Sequence, residues 1–170
     1  SAGQPLDSAL VPPTLQAAVD GDLARLPPHV LDVLEPVALL ARPTVGLIER
    51  ARPGAEAALA EAEAAGVIGE RGGRLEFAHP LIRAGVLDRL GAVRRRRLER
   101  QLADVVEDPE ERALLLAAAT VEADAAIAEA VEATADLAMQ RGAAHIAAER
   151  YDRAVALTPA GHPALARRLL

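Results

Sequence analysis

The spacing of apolar residues along this chain predicts α-helices over most of its length. After a proline-containing extended segment, residues 1–12, apolar side chains recur every three or four residues, as on one face of a helix. Thr14 is expected to cap the first helix, which should run to about Leu26. Its apolar positions are Leu15, Val19, Leu23 and Leu26. Pro27 and Pro28 then end it.

A second helix is predicted to begin at Pro28, since proline suits the first turn of a helix. The side chains expected on its buried face are Val30, Leu31, Leu34, Val37 and Leu40. Pro36 lies inside this helix and removes a hydrogen bond to Asp32, so we expect a kink or a break there.

Two shorter helices and a β-hairpin should follow. The helices are predicted at Thr44–Arg50 and Ala55–Ala65, and Gly66 takes the usual glycine position after the second. The strand-like runs at 67–70 and 75–77 flank the turn Arg71-Gly72-Gly73-Arg74, which indicates a hairpin. Three helices followed by a hairpin is the element order of a winged helix.

The remainder of the chain is predicted to be helical to its end, at about 80–90, 92–106, 109–120, 123–141, 143–157 and 163–170. Asp108-Pro109 is a helix start, with an acidic cap and proline in the first turn. Near the end of the chain, two alanines, a tyrosine and a proline have the spacing typical of the second helix of a tetratricopeptide repeat. These positions are Ala147, Tyr151, Ala154 and Pro159. The unit would begin near Ala128, although its first helix lacks the usual Trp, Leu and Gly.

The composition of the chain argues against several classes of function. The chain has no Cys, which excludes disulfides and thiolate zinc sites, and its formal net charge of −6 argues against a general polyanion binder. No apolar run is long enough to span a membrane, and the N-terminus has no signal-peptide pattern, so we expect a cytoplasmic protein. The fold is predicted to be mainly α.

The third helix of the predicted winged helix does not have the residues of a DNA-reading helix. It carries Glu56, Glu61 and Glu63 and no basic or amide side chain, so phosphates should repel it. The basic residues gather instead at Arg83, Arg89, Arg94–Arg97 and Arg100. They are interpreted as solvated arginines, as a contact to an acidic partner domain or as a nucleic-acid contact, and the sequence leaves these alternatives open.

The segment Phe-Ala-His-Pro-Leu-Ile-Arg at residues 77–83 is the most site-like part of the chain, because strand, turn and helix signals meet there around a titratable residue. His79 before Pro80 is an ordinary helix cap. It could also donate a hydrogen bond to an anion at a helix N-terminus. Arg83, one turn on, could assist the anion or pair with Glu76.

Four elements in this order resemble the middle of the large ATP-binding LuxR-type transcription regulators of the STAND class, which are common in actinobacteria. They are residues 11–27, the acidic helix ending at residues 63–68, the 77–83 segment, and the arginine run before Leu98. The resemblance implies an internal fragment with three parts. Residues 1–26 end the ATPase lid, 27–90 form a winged-helix-like domain, and 91–170 begin a truncated array of tetratricopeptide-like helical hairpins.

The resemblance implies a regulatory, non-catalytic role that couples nucleotide state to the sensing of a partner or inducer. His79 and Arg83 would contact the phosphates of ATP or ADP in the intact protein, while the fragment itself, which lacks a P-loop, would hold no cofactor. Its partners would be its own ATPase domain, the downstream repeats and an unknown protein or small-molecule effector. Direct DNA or membrane binding is not expected. A homodimer could form through Leu165, Leu169 and Leu170.

Two other functions are weighed against this one. The chain could be a stand-alone tetratricopeptide-like adaptor that binds a peptide or protein in its groove. An enzyme is not expected, because the sequence has no Cys and no serine-elbow motif. The four histidines also lack a metal-binding spacing. They are His29, His79, His145 and His162.

Overall fold

The computed structural model describes Val19 and residues 21–168, and within them the fold is mainly helical with one two-stranded antiparallel sheet. The prediction of a mainly α fold with a short hairpin is therefore confirmed. The chain divides into two compact units, which we call unit 1 (Ser1–Leu90) and unit 2 (Gly91–Leu170). The predicted helix start at Thr14 and the apolar position Leu15 lie outside the described residues.

Unit 1 contains the elements predicted for a winged helix, in the predicted order. A helical segment at residues 21–25 comes first. It is followed by α1 (Pro28–Leu39), α2 (Val45–Ala51), α3 (Ala55–Ala64), β1 (Ile68–Arg71), β2 (Arg74–Phe77) and α4 (Pro80–Arg89). Helix α1 packs against α2, α3 and α4 and so forms the centre of the unit.

Helix α1 begins at Pro28 and continues through Pro36 to Leu39, so the break expected at Pro36 is wrong. The ring of Pro36 is fully buried, and this packing offsets the hydrogen bond that the proline removes. The expected buried face also needs a correction. Leu31 is only half-buried, whereas Val33 is buried.

The hairpin is fixed by glycines that adopt positive φ. Gly72 (φ 59°) and Gly73 (φ 78°) form the two-residue turn, which sets Arg71 opposite Arg74. On the other edge of β2, the Leu75 N–H donates to the Pro43 carbonyl at 2.8 Å and so ties the sheet to the connection between α1 and α2.

Unit 2 is a succession of helices in which each packs against the next. They are α5 (Ala92–Val105), α6 (Pro109–Ala119), α7 (Ala125–Gln140), α8 (Ala144–Leu157) and α9 (Pro163–Arg168). Short loops join them, so neighbours run antiparallel. Asp108 caps α6 as predicted, with Oδ1 accepting from the Glu110 N–H at 2.9 Å and the Glu111 N–H at 3.4 Å.

The α7–α8 hairpin contains the positions that suggested a repeat. Ala147 and Ala154 are fully buried, as close helix packing requires. The Tyr151 hydroxyl donates to Asp136 on α7 at 2.5 Å. At the positions where the repeat signature expects Trp, Leu and Gly, α7 buries smaller side chains. These are Val131, Thr134 and Ala135.

Charged side chains link the helices of unit 2. Glu110 on α6 accepts from Arg141 and from Arg150, each at 2.8 Å. Arg150 also donates to the Thr134 carbonyl of α7 at 2.8 Å. On α7, Glu132 accepts from Arg168 of α9 at 2.8 Å. These bonds link α6 to α8, α7 to α8 and α7 to α9.

Candidate functional site

Strand β2 and helix α4 meet at residues 77–83, which we call the His79 junction. Strand pairing extends one residue past β2, because the Ala78 N–H donates to the Val67 carbonyl at 3.0 Å. His79 then has an extended backbone (φ −148°, ψ 140°), and Pro80 is the first residue of α4. The fixed φ of Pro80 starts the helix directly after the sheet. His79 is therefore held at a helix N-terminus at the edge of the hairpin.

The imidazole of His79 caps α4. Its Nδ1 accepts a hydrogen bond from the Leu81 N–H at 3.1 Å, so in the neutral ring the proton resides on Nε2. The side chain is exposed, and Nε2–H remains able to donate to another group. The cap fixes the tautomer and turns the donating nitrogen away from the helix end.

Arg83 has a structural contact that the sequence did not indicate. Its Nε donates to the Ala38 carbonyl at 2.9 Å, which links α4 to the last turn of α1. A cation at this position also interacts favourably with the negative end of the α1 dipole. The suggested pair with Glu76 does not form among the described residues. The carboxylate of Glu76 instead lies 3.8 Å from Nε of Arg71.

The backbone at the junction offers few free donors to an anion. Pro80 has no N–H, the Leu81 N–H bonds the imidazole, and the Ile82 N–H donates to the His79 carbonyl at 3.0 Å. An anion would therefore bind through side chains, namely Nε2–H of His79 and the four N–H groups of Arg83 that its bond to Ala38 leaves over.

The chain repeats the His-Pro cap at the start of α9, which gives an internal comparison. His162 Nδ1 accepts from the Ala164 N–H at 3.3 Å, as His79 does from Leu81. One turn on from His162, however, stands Ala166 instead of an arginine. Capping is therefore a property of the His-Pro pair itself, and the His79 junction differs in having a cation four residues after the histidine.

The third helix of unit 1 exposes an acidic surface. Its buried side chains are Ala55, Ala58, Leu59 and Ala62. The exposed side includes Glu56, Glu61 and Glu63, and Oε2 of Glu61 lies 2.8 Å from Nε2 of His29. Helix α3 thus exposes three carboxylates and no basic side chain, which opposes contact with phosphates.

Two acidic contacts were not apparent from the sequence. Glu49 supplies a cap for α3, with its carboxylate accepting from the Gly54 N–H at 2.6 Å and the Glu56 N–H at 3.2 Å. Glu99 is 3% exposed and accepts from Arg95 Nε at 2.9 Å. An i, i+4 spacing could have suggested the second contact, whereas no local signal marks the first.

Neither a metal cluster nor a membrane helix is present in the part of the chain that the structure describes. No group of three His, Cys, Asp or Glu side chains there could hold a metal ion. No helix among those residues is both long enough and apolar enough to cross a bilayer.

Comparison with known proteins identifies no relative with which this site could be compared. No family model matches the chain, and no match is found among curated proteins or among solved structures. The resemblance to LuxR-type regulators therefore rests on the residues themselves, and the function it implies is a proposal.

Proposed function

We propose that the chain is a regulatory, non-catalytic segment of an ATP-dependent LuxR-type transcription regulator, in which it couples nucleotide state to the sensing of a partner or effector. The observation that carries this proposal is the His79 junction. Its cap leaves the Nε2–H donor free, with Arg83 one turn further along the helix. Donors of this type suit the oxygens of a nucleoside diphosphate supplied by an ATPase domain of the same protein.

In this proposal unit 1 acts without reading DNA. Three exposed carboxylates on α3 oppose contact with phosphates, so the winged-helix-like unit serves as a moving part between domains. Nucleotide held at the junction would keep it docked on the ATPase domain. Release of the nucleotide would let it move as a rigid body.

The test separates the cap from the nucleotide contact by substituting His79 in the intact regulator. A serine caps helices well but cannot reach a phosphate as an imidazole does. His79→Ser should therefore keep the stability of α4 while it shortens the retention of bound ADP and raises basal transcription. His162→Ser is the matched control, because it changes the same cap on α9, where Ala166 stands at the position that Arg83 occupies after His79. Unchanged ADP retention in His79→Ser would refute the nucleotide role.

The second candidate is a tetratricopeptide-like adaptor, which the α7–α8 hairpin favours. Its helices are packed through fully buried alanines, as in helical repeats that bind peptides. The coding sequence around this segment separates the two functions. A P-loop upstream and a helix-turn-helix downstream would support the regulator, and their absence would support the adaptor.

A further inference from the structure

A groove lies between α3 and the hairpin of unit 1, with a volume of about 180 Å³. Its floor is apolar and formed by buried side chains of Leu59, Ile68 and Leu75. Its rim includes three exposed glutamates, Glu56 and Glu63 from α3 and Glu70 from β1. No basic side chain lines the groove, so its apolar floor is bordered by negative charge alone.

The three rim carboxylates remain without an ion-pair or hydrogen-bond partner among the described residues. Glu56 and Glu63 are seven residues apart and so share one side of α3, while Glu70 approaches from the strand. Like charges gathered around a low-dielectric floor raise the local negative potential. An occupant that fits must therefore bring an apolar side chain together with several cations.

Helix α5 of unit 2 presents that combination on one side, where Arg97 and Arg100 are exposed and Arg96 is half-buried. Val93 is 75% exposed. Arg96, Arg97 and Arg100 follow it at the i+3, i+4 and i+7 positions, on the same side of the helix. We call these four residues the cationic face. The buried side chains of α5, such as Leu98 and Leu102, lie on the opposite side.

The start of α5 is also favourable to carboxylates. Gly91 occupies the N-cap position and supplies no side-chain hydrogen bond, and no acidic residue stands in the first turn. The positive end of the helix dipole is thus uncompensated beside Val93, which favours a negatively charged neighbour.

We infer that the groove of one copy of this chain binds the cationic face of a second copy. Val93 covers the apolar floor, and three guanidinium groups meet three carboxylates around it. Each copy carries one groove and one such face, so the contact either closes into a two-fold pair or runs head to tail. The groove is small, and the carboxylates on its rim are exposed. The association should therefore be weak and sensitive to salt.

Sedimentation equilibrium of the 170-residue chain tests the inference. The chain should associate at about 0.01 M ionic strength and dissociate at about 1 M, where the Debye length falls from about 30 Å to about 3 Å. Glu56→Gln, Glu63→Gln and Glu70→Gln together should raise the dissociation constant at least about tenfold, or about 1.4 kcal/mol.

The matched control removes three exposed carboxylates outside the groove, by Glu122→Gln, Glu129→Gln and Glu149→Gln. It changes the net charge by the same amount, so general repulsion is altered equally. The control should leave the dissociation constant unchanged. Equal effects of the two triple variants would overturn the inference.

Substitutions on the cationic face provide the second half of the test. Arg96→Gln, Arg97→Gln and Arg100→Gln should weaken association as much as the groove variant does. Because the two surfaces contact each other, combining both sets should cost no more than either set alone. A chain that stays monomeric at every concentration, yet binds an unrelated arginine-rich helix, would overturn the assignment of a second copy as the occupant.

Discussion

The core of unit 1 is built from large aliphatic side chains, whereas the core of unit 2 is built largely from alanines. Among the fully buried residues of unit 1 are Leu34 and Ile48, while in unit 2 they include Ala128, Ala147 and Ala154. A leucine removes much apolar surface from water, but an alanine removes little. Alanine instead lets two helices approach closely, so the two cores depend on different physical terms.

The two units also differ in how far their charged contacts are shielded from solvent. In unit 1, the Arg25–Asp22 ion pair and the contact between His29 and Glu61 are exposed on both sides. In unit 2, Arg150 and Arg168 have side chains that are 17% and 4% exposed, and they link different helices. Exposed pairs contribute little to stability. Breaking a shielded pair costs more, because the remaining charge is left uncompensated away from water. We infer that unit 2 compensates for its small side chains with interhelical charge contacts.

The largest expected effect comes from removing a large side chain in unit 1. Leu34→Ala should lower the free energy of unfolding of unit 1 by about 2–5 kcal/mol, because it opens a cavity at the centre of α1. Native-state hydrogen exchange, read separately for each unit, is the measurement. Protection in unit 2 should stay unchanged. A loss of protection shared equally by both units would contradict the division into separate cores.

Enlarging a buried alanine in unit 2 should have the next largest effect on stability. Ala154→Leu inserts a larger side chain where α7 and α8 approach closely, and should cost about 1–3 kcal/mol through overpacking. Thermal unfolding compared with Ala148→Leu, an exposed position on the same helix, isolates the effect. Equal melting temperatures for the two variants would show that the alanine contact is not tight.

Breaking a charge contact in unit 2 should cost somewhat less and should depend on pH. The hydrogen bond from Arg150, opposed by partial burial and reinforced by Arg141, lowers the pKa of Glu110 below its ordinary value. Glu110→Gln should lower the free energy of unfolding by about 1.5–2 kcal/mol at neutral pH, the lower end of the range for a hydrogen bond to a charged group.

The direction of the pH dependence follows from the lowered pKa. The folded state holds Glu110 deprotonated where the unfolded chain, with a pKa of about 4.3, already binds a proton. The contribution of Glu110 is therefore complete above about pH 5 and is lost as the pH falls through the folded-state pKa. Chemical unfolding of wild type and Glu110→Gln across this range should show the two stabilities converge in acid. A constant difference would contradict the assignment.

The local features of this fold could be predicted from the sequence because their causes are local. The turn at Gly72-Gly73 and the Asp108 cap were predictable, since positive φ and side-chain capping depend on one or two residues. The continuation of α1 through Pro36 was not predictable, because it depends on tertiary burial of the ring.

At the candidate site, too, the local contact could be predicted from the sequence and the long-range contacts could not. The cap by His79 is a contact between residues two apart, and the sequence predicts it. The bond from Arg83 to the Ala38 carbonyl joins residues 45 apart, and the contact of Glu110 with Arg150 joins residues 40 apart. Contacts across such separations depend on how helices pack, which the spacing of apolar residues does not specify.

The smallest expected effects are those of the helix caps, and these should be alike in the two units. Thr44 accepts from the Leu47 N–H at 3.1 Å at the start of α2, and Asp108 caps α6 in unit 2. Thr44→Ala and Asp108→Ala should each cost about 1 kcal/mol, because a cap satisfies backbone donors whatever packs beyond them. Chemical unfolding followed in each unit measures both. If the Asp108 variant cost several times more than the Thr44 variant, its cap would be coupled to the neighbouring Glu110 contact, and the charge contacts would stabilise unit 2 as a network rather than singly.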